Sequence, residues 1–302
     1  MPNKLPTLTI GIAAYNEYGN LRSLIPTLFM QTAKHYRLVS IMIASDNSHD
    51  NTSNLVHEFR GYPVKLILGK TRLGKPGRVN QIFTQSSTDI VVILDADIKL
   101  SHTSVIDELI GPIGIGSHMI TTGVVEPISP IGLVERIAYA GVMIWHNAKS
   151  YLPPHNLYDS EGMIRAFSKG SYKQLHFPPT SAEDTFPYLV ALEHGWSFRC
   201  QKKAVANYRL PSTWSEYRSQ QRRYLTSMTI EESQFSQKIM EKAEIMDASH
   251  KLRALVQHGL SNPIYTFAYC LWSIYIRIDL LLHSESFSSK WSILQSTKKV
   301  NL

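Results

Sequence analysis

An α/β fold with a mostly parallel central sheet is what this sequence predicts, and three observations predict it. Over roughly the first 125 residues, short apolar runs alternate with segments of helical periodicity. That rhythm builds a parallel sheet covered by helices on both faces. The run Ile90-Val91-Val92-Ile93-Leu94 is apolar at every position, as a strand buried on both faces requires. Polar, chemically equipped turns follow the strands, and in open α/β sheets ligands collect at the carboxyl ends of strands.

In chain order, Thr7 to Ala14 reads as the first strand, running into Tyr15-Asn16-Glu17. A helix follows, with Leu21, Leu24, Ile25 and Leu28 on one face and Pro26 expected to kink it. Leu38 to Ala44 is a second strand, ending in Ser45-Asp46-Asn47-Ser48-His49-Asp50-Asn51-Thr52, a turn rich in helix-capping residues. Val64 to Leu68 is a third. The basic stretch Gly69 to Arg78 reads as a loop, with a helix from about Val79. The strand before Asp95 comes next, then a helix from about Thr103 and a strand near Met119 to Val125. Ile131 to Tyr151 reads as helix and Met163 to Phe167 as strand. Ser181-Ala182-Glu183-Asp184 opens a helix ending near Gly195, and Trp214 to Phe235 is another. The apolar segment Ile264 to Ile276 is rich in aromatics and is interrupted by Arg277 and Asp279. It falls short of a clean membrane span, and its aromatics suit a helix lying in a membrane interface. A true span and a packed core helix remain open from periodicity alone.

Composition narrows the function. The 302-residue chain carries a formal charge of +7, with 43% hydrophobic and 18% charged residues. It is a folded chain suited to an anionic partner such as a nucleotide, a lipid head group or a membrane surface. No dense basic run supports nucleic acid. Cys200 and Cys270 are the two cysteines, which excludes a disulfide framework and suits a reducing compartment. Met1 to Pro6 lacks the apolar run of a signal peptide. His49, His102, His146 and His176 show no zinc-like spacing.

The chemistry concentrates in Asp95-Ala96-Asp97, two carboxylates at a strand end. They can hold a divalent cation through oxygen and, with it, a diphosphate. Glu183-Asp184 is a second acidic pair, and Gln220-Gln221-Arg222-Arg223-Tyr224 a basic one on a helix. An acid at a helix N-terminus is kept ionised by the dipole, so Asp184 can serve as a proton acceptor. Arg223 can offer a fork to phosphate oxygens, or Arg222-Arg223 can form a solvated face.

Taken in order, the Ala14 to Glu17 turn, the Ser45 to Thr52 turn, Asp95-Ala96-Asp97, Glu183-Asp184 followed by Gly195-Trp196, and Gln220-x-x-Arg223-Tyr224 resemble the inverting nucleotide-sugar glycosyltransferases of family 2. Those have the Rossmann-like nucleotide-diphospho-sugar transferase (GT-A) fold. The resemblance spans roughly residues 7 to 235. It implies that Asp97 contacts Mg²⁺ or Mn²⁺, with Asp95 nearer the donor ribose and close to the metal. It places Ala13, Tyr15, Glu17 and Asp46 at the base and ribose, and Lys75 and Arg78 among donor contacts. Asp184 becomes the general base and Glu183 a supporting acid. Gln220, Arg223 and Tyr224 resemble the Gln-x-x-Arg-Trp motif of membrane-linked members, with Tyr in place of Trp. The family's paired acids after the second strand are here Ser45-Asp46, which leaves one nucleotide contact and the nucleobase open.

The expected protein is therefore a metal-assisted glycosyltransferase moving a sugar, with a UDP-sugar as the expected donor, to a glycan or lipid-linked acceptor at the cytoplasmic face of a membrane. Residues 1–125 are expected to bind the donor, 126–245 the acceptor, and 246–302 to form a C-terminal helical segment on the membrane. One candidate membrane helix favours single addition over processive export. Two other readings compete: a phosphotransferase with Asp95 as nucleophile, and a catalytically silent relative that binds a nucleotide-sugar.

Overall fold

The computed structural model describes residues 5–179, 183–232, 235–243, 245–283 and 296–297. Eight strands form one sheet, β1 (Thr7–Ala14), β2 (Arg37–Ser45), β3 (Val64–Leu68), β4 (Ile90–Leu94), β5 (Ile98–Leu100), β6 (Met119–Pro127), β7 (Ile164–Ser168) and β8 (Ser197–Tyr208). Their spatial order is β3-β2-β1-β4-β7-β6-β8-β5. The first four pair in parallel. β7 pairs antiparallel with β4 and β6. β8 runs parallel to β6, and β5 closes the edge antiparallel to β8. The sheet is thus mostly parallel, as expected, and both halves of the chain share it.

β4 is central, and every residue of it is buried. Ile90, Val92 and Leu94 pack on one side with α1 (Tyr18–Phe29) and, after the short α2 (Leu55–Glu58), α4 (Val105–Ile110). Val91 and Ile93 pack on the other with α3 (Gly74–Gln85) and, beyond α5 (Leu133–Lys149) and α6 (Lys169–Tyr172), α7 (Phe186–His194). Period-two alternation sends neighbouring side chains to opposite faces, so a strand with helices on both sides is apolar throughout. α1 runs on through Pro26.

Three local expectations are corrected. The basic loop does not last to Val79: α3 begins at Gly74, because the Leu73 and Gly74 N–H groups donate to the Asp46 carboxylate at 2.7 and 3.1 Å. That caps the helix from a distant strand, and Pro76 in the first turn needs no donor. α7 opens at Phe186 with Pro187 in its first turn, so Asp184 lies just before the helix and not within it. Ser181 and Ala182, read as the opening of this helix, lie outside the described residues. Two strands went unread. β5 is three residues long, and β8 carries the polar stretch Gln201-Lys202-Lys203, where its pairing with β6 shifts register.

Beyond β8 the described chain forms four helices, α8 (Trp214–Glu232), α9 (Gln237–Lys242), α10 (Ala248–Ser261) and α11 (Pro263–Leu282). Among the described residues α11 is the one helix long and apolar enough to cross a membrane. It is anchored along one side. Asp279 is buried and takes a two-pronged hydrogen bond from Arg218, at 2.9 and 2.7 Å, and another from Arg222 at 2.6 Å. Tyr217 and Trp272 stack with ring centroids 5.1 Å apart.

Candidate functional site

The ends of β1, β2 and β4 open onto one cleft. Ala13, Ala14, Tyr15, Glu17, Asp46, Arg72, Lys75, Arg78, Asp95 and Asp97 line one side. Met163, Tyr208, Arg209, Gln220, Arg223 and Tyr224 line the other. Eleven of the thirteen site residues proposed from sequence, all but Glu183 and Asp184, therefore line a single space.

The side of the cleft at the ends of β1 and β2 is built by backbone geometry. β1 ends in Asn16, whose left-handed φ of 53° turns the chain. An Asn side chain tolerates that conformation by bonding locally. Its Oδ1 accepts from the His49 N–H at 2.8 Å, and its own N–H donates to Ser48 Oγ at 3.1 Å. The two turns are thereby locked together. Ser45, standing where the family has an acid, donates to Ser48 Oγ.

Asp46 accepts from four donors: the Leu73 and Gly74 N–H groups, Arg72 Nε at 3.0 Å and Arg78 Nε at 2.8 Å. Burial pushes its carboxyl up, but the Leu73 amide, Arg78 and Arg72 outweigh that and hold it below the ordinary value. Two carboxylate oxygens offer about four lone-pair sites, so Asp46 is fully engaged in tying the 69–78 segment to β2. Arg78 belongs to the same framework. It is fully buried, and it also donates to Gln81 and to the Thr71 carbonyl. The Arg72 guanidinium lies 3.5 Å over the Tyr15 ring. Sequence reading missed Arg72; only its place in the basic loop marked it.

Asp95 and Asp97 stand just beyond β4. Burial, then the charges of Asp95 and Glu17, push the Asp97 carboxyl up to about 7. A hard divalent cation fits such an excess of negative oxygen. Among the described residues no three His, Cys, Asp or Glu side chains are arranged to hold a metal alone. That suits an ion bound by one or two carboxylates and completed by phosphate oxygens.

The second wall meets the first through Lys75. Its Nζ lies 2.5 Å from Asp95 Oδ1, forms an ion pair with Glu183 Oε1, and donates to the Gly162 carbonyl at 3.2 Å. Burial pulls the ammonium pKa down, yet Asp95 and Glu183 more than reverse this and raise it above the ordinary value. Glu183 is buried against a second cation, Arg165, which donates to the Glu183 carbonyl and places Nη2 3.7 Å from its Oε2. Burial raises the Glu183 pKa, with Lys75 and Arg165 opposing. Asp184, the next residue in the chain, lies outside the cleft lining. Its carboxylate packs on the backbone of Gly162, where an added Cβ would come within 2.6 Å of its Cγ. The carbonyl of Asp184 accepts from Ser160 Oγ at 2.6 Å, and its charge reaches Lys75 and Tyr224, both in the lining. Arg165 and Gly162 carry no local sequence signal, since their roles come from packing across the sheet.

The basic motif divides. Gln220, Arg223 and Tyr224 face the cleft, while Arg222 turns to Asp279 and the His283 carbonyl. Spacings of three and four place side chains on one helix face, so Arg222 is neither solvated nor a donor contact. Arg209 was also missed. It lines the cleft and sits 3.4 Å from Glu135, which closes the start of α5 by accepting the Ile131 and Gly132 N–H groups.

The fold is the GT-A fold of nucleotide-sugar transferases. The family model described as glycosyl transferase family 2 matches residues 9–175, and the chain belongs to that family. It is 25% identical over 136 residues to poly-beta-1,6-N-acetyl-D-glucosamine synthase of Staphylococcus epidermidis, covering 44% of this chain and 32% of the relative. It is 31% identical over 126 residues to dolichol-phosphate mannosyltransferase of Pyrococcus furiosus, covering 39% of this chain and 35% of the relative. The matches thus span about a third of these relatives' length. Among solved structures, the mannosyltransferase PcManGT from Pyrobaculum calidifontis, in complex with GDP-Man and Mn²⁺, superposes with a TM-score of 0.62 at 16% identity. That match covers 94% of this chain and 82% of the other. TarS 1-349 of S. aureus, in complex with UDP, gives 0.52 at 16% identity over 83% and 70%.

Proposed function

We propose that this protein transfers a sugar, with inversion, from a nucleoside-diphosphate sugar to an acceptor hydroxyl. The observation that carries this reading is the Lys75 bridge. It joins the acids beyond β4 to the segment holding Asp184 beside one cleft. Tyr15 and Arg72 receive the nucleoside, and Arg72 supplants Asp46 as the polar group open to the base. Asp97, with Asp95, would hold Mg²⁺ or Mn²⁺, which supplies Lewis-acid stabilisation of the departing diphosphate. Arg223 adds charge-assisted hydrogen bonds to phosphate oxygens. Asp184 takes the proton from the acceptor hydroxyl as that oxygen attacks the anomeric carbon in line with the leaving diphosphate. One bond forms, the sugar–phosphate bond breaks, and the configuration inverts.

The donor half is assigned to 1–125 and the acceptor half to 126–245. Residues 246–302 are assigned to a membrane surface at its cytoplasmic face, where the acceptor is a glycan or a lipid-linked sugar. The apolar side of α11 left open by Asp279 supports an interfacial helix. Ile264, Phe267, Leu271, Ile274, Ile278 and Leu281 are all at least half exposed. They recur at helical spacing.

The test is Asp184→Asn, assayed by nucleoside-diphosphate release with Mn²⁺ and a panel of UDP- and GDP-sugars. Loss of a general base costs about 10²–10⁴-fold, so turnover should fall by about 10³ with donor affinity within twofold. Retained turnover would remove Asp184 from this role. Abolition only on replacing Asp95 would instead favour the aspartyl-phosphate reaction.

A further inference from the structure

Resting on the proposed transfer reaction, we infer that Lys75 is a shared counterion, competing with the cation for Asp95 while holding the Glu183–Asp184 segment in its working position.

The geometry of one side chain makes this case. Lys75 is 10% exposed at its side chain, and Asp95 and Glu183 are 16% and 2% exposed. An ammonium has three donors and no acceptor capacity. Here Asp95, Glu183 and the Gly162 carbonyl surround it. Each partner does something different. Asp95 belongs to the acids beyond β4. Glu183 is the chain neighbour of Asp184. Gly162 is the floor on which the Asp184 carboxylate rests.

Electrostatics fixes the sign of the coupling. Asp95 offers its Oδ1 to Lys75 at 2.5 Å, so a cation approaching the same carboxylate meets a positive charge already in place. In a partly buried site that repulsion is weakly screened. When the carboxylate turns to a cation, Lys75 is left to Glu183 and Gly162, which draws it toward the segment bearing Asp184. Arg165 makes the arrangement durable. It keeps Glu183 partnered on its other side, so Glu183 is not a lone buried charge at any stage. Lys75 is accordingly a positioning residue: it acts on the chemistry through Asp95 and Glu183.

A purely structural lysine and a shared counterion predict opposite effects on metal binding. Mn²⁺ affinity is measured without nucleotide, by calorimetry or by the electron spin resonance of free Mn²⁺, on the full chain and on Lys75→Met, Lys75→Arg, Glu183→Gln and the double variant Lys75→Met with Glu183→Gln. Lys75→Met should bind Mn²⁺ about tenfold more tightly while kcat falls at least 100-fold. Lys75→Arg should restore the wild-type Mn²⁺ affinity to within threefold. Glu183→Gln, which leaves Lys75 to Asp95, should bind Mn²⁺ more weakly than wild type. The double variant removes both buried charges together. It keeps the test alive if Lys75→Met fails to fold, and it should also bind Mn²⁺ more tightly than wild type. Unchanged or weaker Mn²⁺ binding in both Met variants overturns the inference. So does a Lys75→Met kcat within twofold of wild type. If the wild-type protein itself transfers no sugar from any donor, the functional reading fails, and the Mn²⁺ series still decides whether Lys75 and the cation compete.

Discussion

The two walls of the cleft are held by different forces. The proposed donor wall rests first on backbone, with parallel registers through β1, β2 and β4, the Asn16 turn, and two main-chain amides on Asp46, to which Arg72 and Arg78 add the wall's own ion pairs. The acceptor wall rests on ion pairs between distant side chains: Lys75 and Arg165 on Glu183, Arg209 on Glu135, Arg218 and Arg222 on Asp279. Backbone ladders position groups with little dependence on side-chain identity. Ion-pair frameworks position groups only while both partners are present, since removing one leaves a buried charge.

The largest effect is expected farthest from the chemistry, where α8 carries α11. Replacing Phe267, Leu271, Ile274 and Ile278 together by Ser removes four exposed apolar side chains and no ion pair. If each contributes about 1 kcal/mol of interfacial burial, partitioning onto vesicles of mixed neutral and anionic lipid should fall by about 10³-fold. The melting temperature should stay within a few degrees. Undiminished cosedimentation with the vesicles would detach α11 from any membrane role. Deleting residues 260–302 would be a poorer experiment, because it also strips Arg218 and Arg222 of Asp279.

A smaller effect separates the walls directly. Gly162→Ala puts a methyl group into the Asp184 carboxylate. Displacing a reacting group by about 1 Å can cost about 10²-fold, so kcat should drop by that order with donor affinity unchanged. The matching change on the donor side, Gly11→Ala, meets Ile82 at 2.5 Å and Ile93 at 2.9 Å. Overpacking there should cost about 1–3 kcal/mol of stability and leave kcat nearly intact. Equal effects of the two changes on kcat would erase the distinction between the walls.

The same division explains what the sequence made legible. β4 was readable because all its residues are buried and therefore apolar. The acids beyond it were readable because strand ends in such sheets are where ligands bind. The start of α3 was not, because its cap is Asp46, nearly thirty residues earlier in the chain. β8 was hidden because only Cys200, Ala204 and Ala206 of its twelve residues are buried, and Lys202 and Lys203 stand at a register shift. Within Gln220 to Tyr224, residue types gave no way to see that Arg222 grips a helix near the C-terminus while Arg223 faces the cleft. Lys75 was placed among donor contacts by the family resemblance. That it also reaches Glu183 is a fact of three dimensions, carried by no neighbour in sequence.

The smallest expected effect concerns protons at the donor wall. In the metal-free protein the Asp97 carboxyl is pushed up to about 7 by burial and by Asp95 and Glu17, whereas a free carboxyl of this type titrates near 3.9. A cation takes the ionised form, so binding must release the proton. Above pH 8 the group is already ionised, and Mn²⁺ affinity should be flat. Below pH 7 each unit should weaken binding about tenfold, giving roughly a tenfold loss between pH 8 and pH 6. Asp97→Asn should bind Mn²⁺ weakly at every pH and lose this dependence. A titration midpoint near 4 in the wild type would mean that Asp97 is solvated like an ordinary surface acid, and the donor wall would then lack the concentrated negative charge on which its use of a cation depends.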